Sequence, residues 1–244
     1  MIDSQTVLLL ALAMGMAAAL YASVGHGGAS AYLAIMALAG IAPETMRPTA
    51  LALNLVVSAT ALVNYAGAGH FDRRLFLIVA IPAIPLAFIG GMAQLPDQLY
   101  RPAVGAILLF AAIQFAWKPN RATRQPPRPA ILAGSGGALG LLAGLTGTGG
   151  GIFLSPLLLS AGWAKPRTTA AVAAAFIFVN SLAGLAGNLS ALGELPRGLG
   201  WLTLAVGTGG LVGSRLGAVV VSRTILMRLL ALVLVIAGGK LLLT

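Results

Sequence analysis

The sequence predicts an all-α polytopic membrane protein made of two inverted repeats, each with about five helical segments. Three observations lead to this fold class. Hydrophobic residues make up 59% of the 244 residues and charged residues only 8%, whereas soluble domains carry about 25% charged residues. Apolar segments follow one another along the chain with short polar joins. Two glycine-rich breaks, Val24–Gly28 and Thr146–Gly151, divide apolar sequence, one in each half.

Eight long apolar segments are expected to span the bilayer as helices: 5–22, 48–68, 75–95, 99–117, 131–145, 168–190, 198–221 and 225–243. Two shorter segments, 29–41 and 152–164, extend only about 20 Å as helix. Each follows a glycine-rich break, so we expect half-helices or re-entrant segments. The chain opens without a positively charged leader, so segment 5–22 is interpreted as a mature span rather than a cleaved signal.

The two halves resemble each other in sequence. At an offset of 122 positions, four glycines coincide with four others: Gly25, Gly27, Gly28 and Gly40 with Gly147, Gly149, Gly150 and Gly162. After a two-residue slip, three further positions coincide: Arg47, Thr49 and Ala50 with Arg167, Thr169 and Ala170. Near the ends, Gly90-Gly91 coincides with Gly213-Ser214. We therefore divide the chain into a first repeat (1–117), a basic, proline-rich linker (118–129) and a second repeat (130–244).

The distribution of Lys and Arg predicts the orientation. If the linker is cytoplasmic, eleven basic residues fall on its side of the membrane and four on the other. Each half then crosses the membrane a net odd number of times, which inverts the second half relative to the first. Both termini are expected outside.

Composition excludes several classes of function. The chain has no Cys, two His and five acidic residues near segment ends, so catalysis, a metal site and a cofactor are not expected. The net charge of +10 is spread between apolar runs, which argues against nucleic-acid binding. A P-loop is absent, so the chain is not expected to hydrolyse ATP.

The two breaks are the predicted binding site for a small anion. A helix start leaves backbone N–H groups without partners and carries partial positive charge, and glycine lets a ligand approach closely. The candidate residues are Gly25, His26, Gly27, Gly28, Thr146, Gly147, Thr148, Gly149 and Gly150. The alternative is that these glycines only allow helices to cross tightly. That explanation fits two series of glycines spaced four apart better: Gly136/Gly140/Gly144 and Gly209/Gly213/Gly217.

His26 and Thr148 occupy matching places in the two breaks, and an inverted repeat would bring them together. His26 is a candidate for binding the anion as imidazolium, relaying a proton or donating a neutral hydrogen bond. The alternative is a neutral histidine that ties the loop together.

Four further residues complete the predicted site. Asn54 and Asn180 are expected to line the pathway, or else to form hydrogen bonds between helices. Arg47 and Arg167 start equivalent helices on opposite sides and are expected to draw anions into two vestibules. The alternative for both arginines is that they extend to the lipid headgroups.

The motifs that carry these residues resemble a known family. Gly25-His-Gly-Gly-Ala-Ser30, its echo Gly144-Leu-Thr-Gly-Thr-Gly-Gly-Gly151, the two arginines and the stretch Gly207–Gly217 are similar to the sulfite exporter TauE/SafE family. The resemblance covers about residues 8–243. It implies a bacterial inner-membrane permease for small anions, often sulfur oxyanions or organosulfonates.

The predicted function is secondary transport of a small anion such as sulfite, thiosulfate, an organosulfonate or a related carboxylate. Export by alternating access is favoured, because the membrane potential expels anions. The expected partners are the anion and the lipid bilayer, and a homodimer is compatible with the glycine-rich faces. The alternatives are a non-transporting membrane subunit or assembly factor and, less favoured, an intramembrane enzyme.

Overall fold

The computed structural model describes residues 4–93, 95–116, 128–196, 198–216 and 223–243. These residues form α-helices and one short 3-10 helix, Leu189–Glu194, and no strand occurs among them. The helices are α1 (Ser4–Ala22), α2 (Ala29–Leu38), α3 (Pro43–Gly67), α4 (Arg73–Met92), α5 (Asp97–Ala116), α6 (Pro129–Thr146), α7 (Gly151–Ser160), α8 (Pro166–Gly187), α9 (Leu199–Leu216) and α10 (Arg223–Leu243). The predicted all-helical class is confirmed, whereas most of the predicted linker lies outside the described residues.

Four of the described helices, α3, α4, α6 and α8, are long and apolar enough to cross a membrane. Large apolar side chains also point outward from other helices, and Leu9, Trp201 and Ile236 are each more than half exposed. Such an exterior suits lipid rather than water, and the protein is a multi-pass membrane protein. The remaining predicted spans are helices as well, but the total of eight crossings stays a prediction.

The two short helices begin at the glycine-rich breaks: α2 begins directly after the first break, as predicted, and α7 begins at Gly151, the last residue of the second. Both α2 and α7 have 10 residues, about 15 Å of helix and half of a bilayer core. They end earlier than expected, at Leu38 and Ser160 rather than at 41 and 164. Gly40 and Gly162 adopt left-handed φ angles of 73° and 72° just past the two ends, a conformation that terminates helices.

Small residues bring two pairs of helices into backbone contact. Three α6 glycines lie in ascending order against three α4 residues: Gly136, Gly140 and Gly144 on Val79, Ala83 and Ala87. On α9, Gly209 and Gly213 lie against Gly15 and Ala19 of α1 in the same way. Both pairs therefore run parallel. The packing role predicted for these glycines is confirmed, and Gly217 lies outside the described residues.

Two other pairs are antiparallel. Asn54 of α3 contacts Ser181 of α8, and Leu51, one turn earlier, contacts Gly184, one turn later. In the second pair, Gly105 of α5 lies against Leu242 of α10, and Leu109, one turn later, lies against Gly238, one turn earlier. The antiparallel pair α3/α8 crosses the centre of the molecule and carries the candidate site.

Buried apolar side chains form two clusters, which divide most of the molecule into two bundles. The first bundle contains α1, α2, α3 and α9, with α5 and α10 beside them. The second bundle contains α4, α6, α7 and α8. Each bundle thus combines helices from both halves of the chain, since α9 and α10 lie in the first bundle and α4 lies in the second. The crossing of α3 and α8 forms the interface between the bundles.

Candidate functional site

The two glycine-rich breaks meet at one asparagine. A Cβ atom added to Gly27 would overlap Oδ1 of Asn54, and one added to Gly149 would lie 2.5 Å from Nδ2 of the same side chain. Ile177 of α8 closes the other side, 3.0 Å from both added atoms. Glycine is therefore required at both positions, because any side chain would occupy the space of Asn54.

Asn54 is fully buried and bonded to both breaks. Its Oδ1 accepts a hydrogen bond of 3.1 Å from the backbone N–H of Ala29, the first residue of α2. Its Nδ2 donates longer bonds to the Thr148 carbonyl (3.5 Å) and to Ser181 Oγ (3.4 Å). One amide thus caps the first half-helix and bridges the interface between the two bundles.

The residues that precede α2 and α7 share an unusual backbone conformation. Gly28 and Gly150 are the N-cap residues, with φ angles of 97° and 78°. Residues with a Cβ atom rarely adopt this left-handed conformation. The sequence can therefore turn from each break directly into a half-helix.

His26 and Thr148 are both buried within their breaks, with 9% and 4% exposure. His26 Nδ1 lies 3.2 Å from the Val24 carbonyl, which can only accept, so Nδ1 carries a proton in this contact. Thr148 Oγ1 lies 3.1 Å from Thr146 Oγ1. The predicted approach of His26 to Thr148 stays a prediction.

Tyrosine side chains support the breaks, and the sequence interpretation did not select them. Tyr32 donates a hydrogen bond of 2.9 Å to the Gly27 carbonyl, and Tyr100 donates one of 3.2 Å to the Thr146 carbonyl. Tyr21 is bonded to Ser30 at 2.6 Å. The available signal was the rarity of tyrosine, with four in the whole chain, all of them inside apolar segments.

Asn180 is fully buried on α8, one turn from the contact with α3. Its Nδ2 donates a hydrogen bond of 2.9 Å to the Phe176 carbonyl of its own helix. Its Oδ1 has no partner among the described residues, and neither have the hydroxyl groups of Thr49 and Thr169. Buried polar atoms of this kind usually find a partner, so they are further candidates for contact with water or a ligand.

The two predicted vestibule arginines have different surroundings. Arg47 is 6% exposed and donates hydrogen bonds to three carbonyls at the end of α4: Gly90 and Gly91, each at 2.6 Å, and Ala93 at 2.8 Å. Its side chain caps that helix instead of extending to the headgroups. Arg167 is exposed. The vestibule role stays a prediction for both.

Arg167 lines an open cleft of about 900 Å³ on the side of the molecule where α4 and α8 begin. The walls are residues 69–73, which join α3 to α4, and residues 165–168 at the start of α8. Arg73 and Lys165 add positive charge, and Asp72 caps α4 through the N–H of Leu75. The cleft is therefore predominantly cationic.

Comparison with known proteins gives a consistent result. The family model described as sulfite exporter TauE/SafE matches residues 9–241. The chain is 38% identical to the "Probable membrane transporter protein y4hK" of Sinorhizobium fredii over 240 residues, which cover 96% of this chain and 97% of that protein. No solved structure matches the chain. The protein is thus a membrane transporter rather than an enzyme, and it belongs to the sulfite exporter TauE/SafE family.

Proposed function

We propose that this transporter carries small anions, namely sulfur oxyanions, sulfonates or short carboxylates, and binds them between the two glycine-rich breaks. The observation that carries the proposal is the meeting of both half-helix starts at Asn54. Helix starts bind anions through free N–H groups and the helix dipole. The family description, which names sulfite, supports an anionic substrate of this size.

The second break offers the free donors. Asn54 already bonds the first residue of α2. At the equivalent position of α8, 120 residues later, the chain has Ala174, which has no hydrogen-bonding group. No hydrogen bond reaches the N–H groups of Gly150 and Gly151 from the part of the chain that the structure describes. We infer that the anion takes this place and caps α7.

An inverted repeat explains the helix directions. Helix α3 is antiparallel to α8, and α5 is antiparallel to α10, as inversion requires. The helix registers agree too, since Gly90 of α4 lies against Leu141 of α6, and Gly213 of α9 lies against Ala19 of α1. The two contacts are equivalent under the repeat, because Leu141 lies 122 residues after Ala19 and Gly213 lies 123 residues after Gly90. Inverted repeats with interrupted helices are common among secondary transporters.

Transport then follows an alternating-access cycle in which the two bundles rock about the crossing of α3 and α8. The linker side is assigned to the cytoplasm, both termini to the outside and the protein to the inner membrane of a bacterium. The cationic cleft lies on the linker side and concentrates anions there. The membrane potential contributes about 2.3 kcal/mol per charge per 100 mV to expulsion, so export needs no coupled ion.

A thermal-stability screen of the purified protein tests the proposed function. The ligands are sulfite, thiosulfate, sulfoacetate, taurine, sulfate and short carboxylates. A substrate at 100 times its dissociation constant stabilises the folded protein by about 2.7 kcal/mol, which raises the melting temperature. The control is Gly149→Ala, in which the new Cβ atom would fill the site. If no anion stabilises the parent protein, the proposed substrate class and binding site are wrong.

A further inference from the structure

The two matched arginines lie on opposite faces of the molecule and have different surroundings. On the first face, Arg47 of the first bundle holds the α4 end of the second bundle through three bonds of 2.6–2.8 Å. In the middle, Asn54 makes bonds of 3.4–3.5 Å across the interface. On the opposite face, Arg167 is exposed and lines the cleft between the α3–α4 connection and the start of α8. Arg47 is therefore bonded across the interface, whereas Arg167 faces an open cleft.

The repeat supplies the same parts on the open face. Arg167 is the second residue of α8 in the second bundle, and the matching Arg47 is the fifth residue of α3 in the first. Helix α9 belongs to the first bundle and corresponds to α4. Helix α8 begins on the same face of the molecule on which α9 ends, so Arg167 and the end of α9 lie on that face. The α9 positions that correspond to the three carbonyls are 123 residues further on: Gly213, Ser214 and Leu216 for Gly90, Gly91 and Ala93.

The two breaks also contact the facing helices at different positions relative to the matched arginines. Gly147 of the second break lies 3.1 Å from the Arg47 side chain, measured from an added Cβ atom. Gly25 of the first break lies instead against Ala170, three residues beyond Arg167. Three residues of helix amount to about 4.5 Å. The closed face thus has its arginine in contact with a break, whereas on the open face the corresponding contact is displaced by nearly one turn.

We propose that Arg47 and Arg167 are alternating latches that close opposite faces of the transporter in turn. In the structure described here, the Arg47 latch is closed and the cytoplasmic face is open. In the opposite state, Arg167 caps the end of α9, Arg47 leaves α4, and Gly25 moves from Ala170 towards Arg167. This inference rests on the proposed alternating-access function and assigns its two gates.

The chemistry suits a reversible gate. Each latch joins a guanidinium, which offers five N–H donors in a fixed fork, to carbonyl groups that a helix end leaves without partners. A cation at a helix C-terminus also interacts favourably with the dipole. Since both latches use the same groups, the two end states are close in energy, and a bound anion can shift the balance between them.

Cysteine labelling tests the proposal, because the chain contains no Cys of its own. Thr49→Cys is the reporter for the closed face, since Thr49 is fully buried two residues after Arg47. Thr168→Cys is the reporter for the open face, where Thr168 lines the cleft. In proteoliposomes whose transporters are inserted in both orientations, a soluble maleimide reaches both faces of the protein. We expect fast labelling of the cysteine at 168 and slow labelling of the cysteine at 49.

Removing each latch has opposite consequences. Arg47→Ala should speed labelling at 49 at least about tenfold, the factor that corresponds to 1.4 kcal/mol, and should slow labelling at 168. Arg167→Ala should leave both labelling rates unchanged but reduce transport, because the opposite state loses its latch. Unchanged labelling at 49 in Arg47→Ala, or faster labelling at 49 in Arg167→Ala, would overturn the proposal.

A conservative variant covers the case in which Arg47→Ala does not fold. Arg47→Lys keeps the positive charge but loses the forked set of N–H donors. Its rate of labelling at 49 should therefore lie between that of the parent protein and that of Arg47→Ala. A rate equal to that of the parent would again contradict the latch. The anion-stability screen on the parent protein is independent of these rates. If an anion stabilises the protein but the labelling rates contradict the latch, the proposed function stands. If the labelling rates are as predicted but no anion stabilises the protein, the latch stands.

Discussion

The two glycine-rich breaks have nearly the same backbone and different side chains around them. Both place a left-handed glycine before a 10-residue helix, and both contact Asn54 and Ile177. Only the first half-helix, however, has its leading N–H bonded by a side chain, that of Asn54. The second has Ala174 at the corresponding position of the facing helix. Two helix starts with similar backbones thus differ in the side chain that faces them, and under the proposed function the second start is the one that binds the anion.

The largest expected effect comes from adding a methyl group to the second break. Gly149 has a φ of 72°, where a residue with a Cβ atom costs about 1–2 kcal/mol. The new Cβ would also lie 2.5 Å from Asn54 Nδ2 and 3.0 Å from Ser181 Oγ, an overpacking that costs about 1–3 kcal/mol. Gly149→Ala should abolish transport in an uptake assay and lower the melting temperature.

The matched control is Gly134→Ala on α6. An added Cβ atom there meets nothing within 4 Å, and the exchange in a helix is worth up to about 1 kcal/mol in favour of alanine. Transport should remain at the parental level. Equal loss in both variants would mean that glycine content in general, rather than the break, sustains transport.

Asn54→Ala should have the next largest effect. The variant leaves the Ala29 N–H without its cap, which costs about 0.5–2 kcal/mol, and removes the only side chain seen to bond both breaks in the described structure. We expect a lower melting temperature and at least a tenfold slower uptake, about 1.4 kcal/mol. Uptake at the parental rate would show that the bridge is not needed for the cycle.

Ala174→Asn is the reciprocal change and sharpens the comparison. Ala174 is fully buried, so the larger side chain costs about 1–3 kcal/mol in packing. If it reaches the start of α7 as Asn54 reaches α2, it competes with the anion for the free N–H groups. The dissociation constant, measured by titration calorimetry, should rise about tenfold, or 1.4 kcal/mol. An unchanged constant in a folded variant would place the anion elsewhere.

His26→Gln is expected to have the smallest effect at neutral pH. Histidine normally titrates near neutrality, whereas glutamine keeps hydrogen-bonding capacity without a charge change. If His26 binds the anion as imidazolium, uptake by the parent should increase as the pH falls from 8 to about 5.5, and the variant should lose this increase. Identical pH profiles would leave His26 with the structural role of bonding the Val24 carbonyl.

The sequence predicted the backbone features of the site better than its contacts. Glycine has few reasons to recur at fixed offsets in apolar sequence, so the starts of α2 and α7 and the close packing of α4 on α6 were predictable. Hydrogen bonding between helices was one of the two predicted roles of Asn54, but its partners were not predictable, because they depend on the angle at which α3 crosses α8. Arg47 was selected for its charge and position, but its partners lie 43–46 residues further along the chain, a distance that no local pattern encodes.

The most direct test of the central claim is exchange in proteoliposomes that contain the purified protein. Labelled anion, chosen as the strongest stabiliser in the thermal screen, is added outside, with or without unlabelled anion inside. The account predicts saturable uptake that internal anion accelerates, because a carrier returns faster when loaded, and it predicts loss of this exchange in Gly149→Ala. Uptake that rises linearly with concentration, that internal anion does not accelerate, or that matches protein-free liposomes would contradict the account.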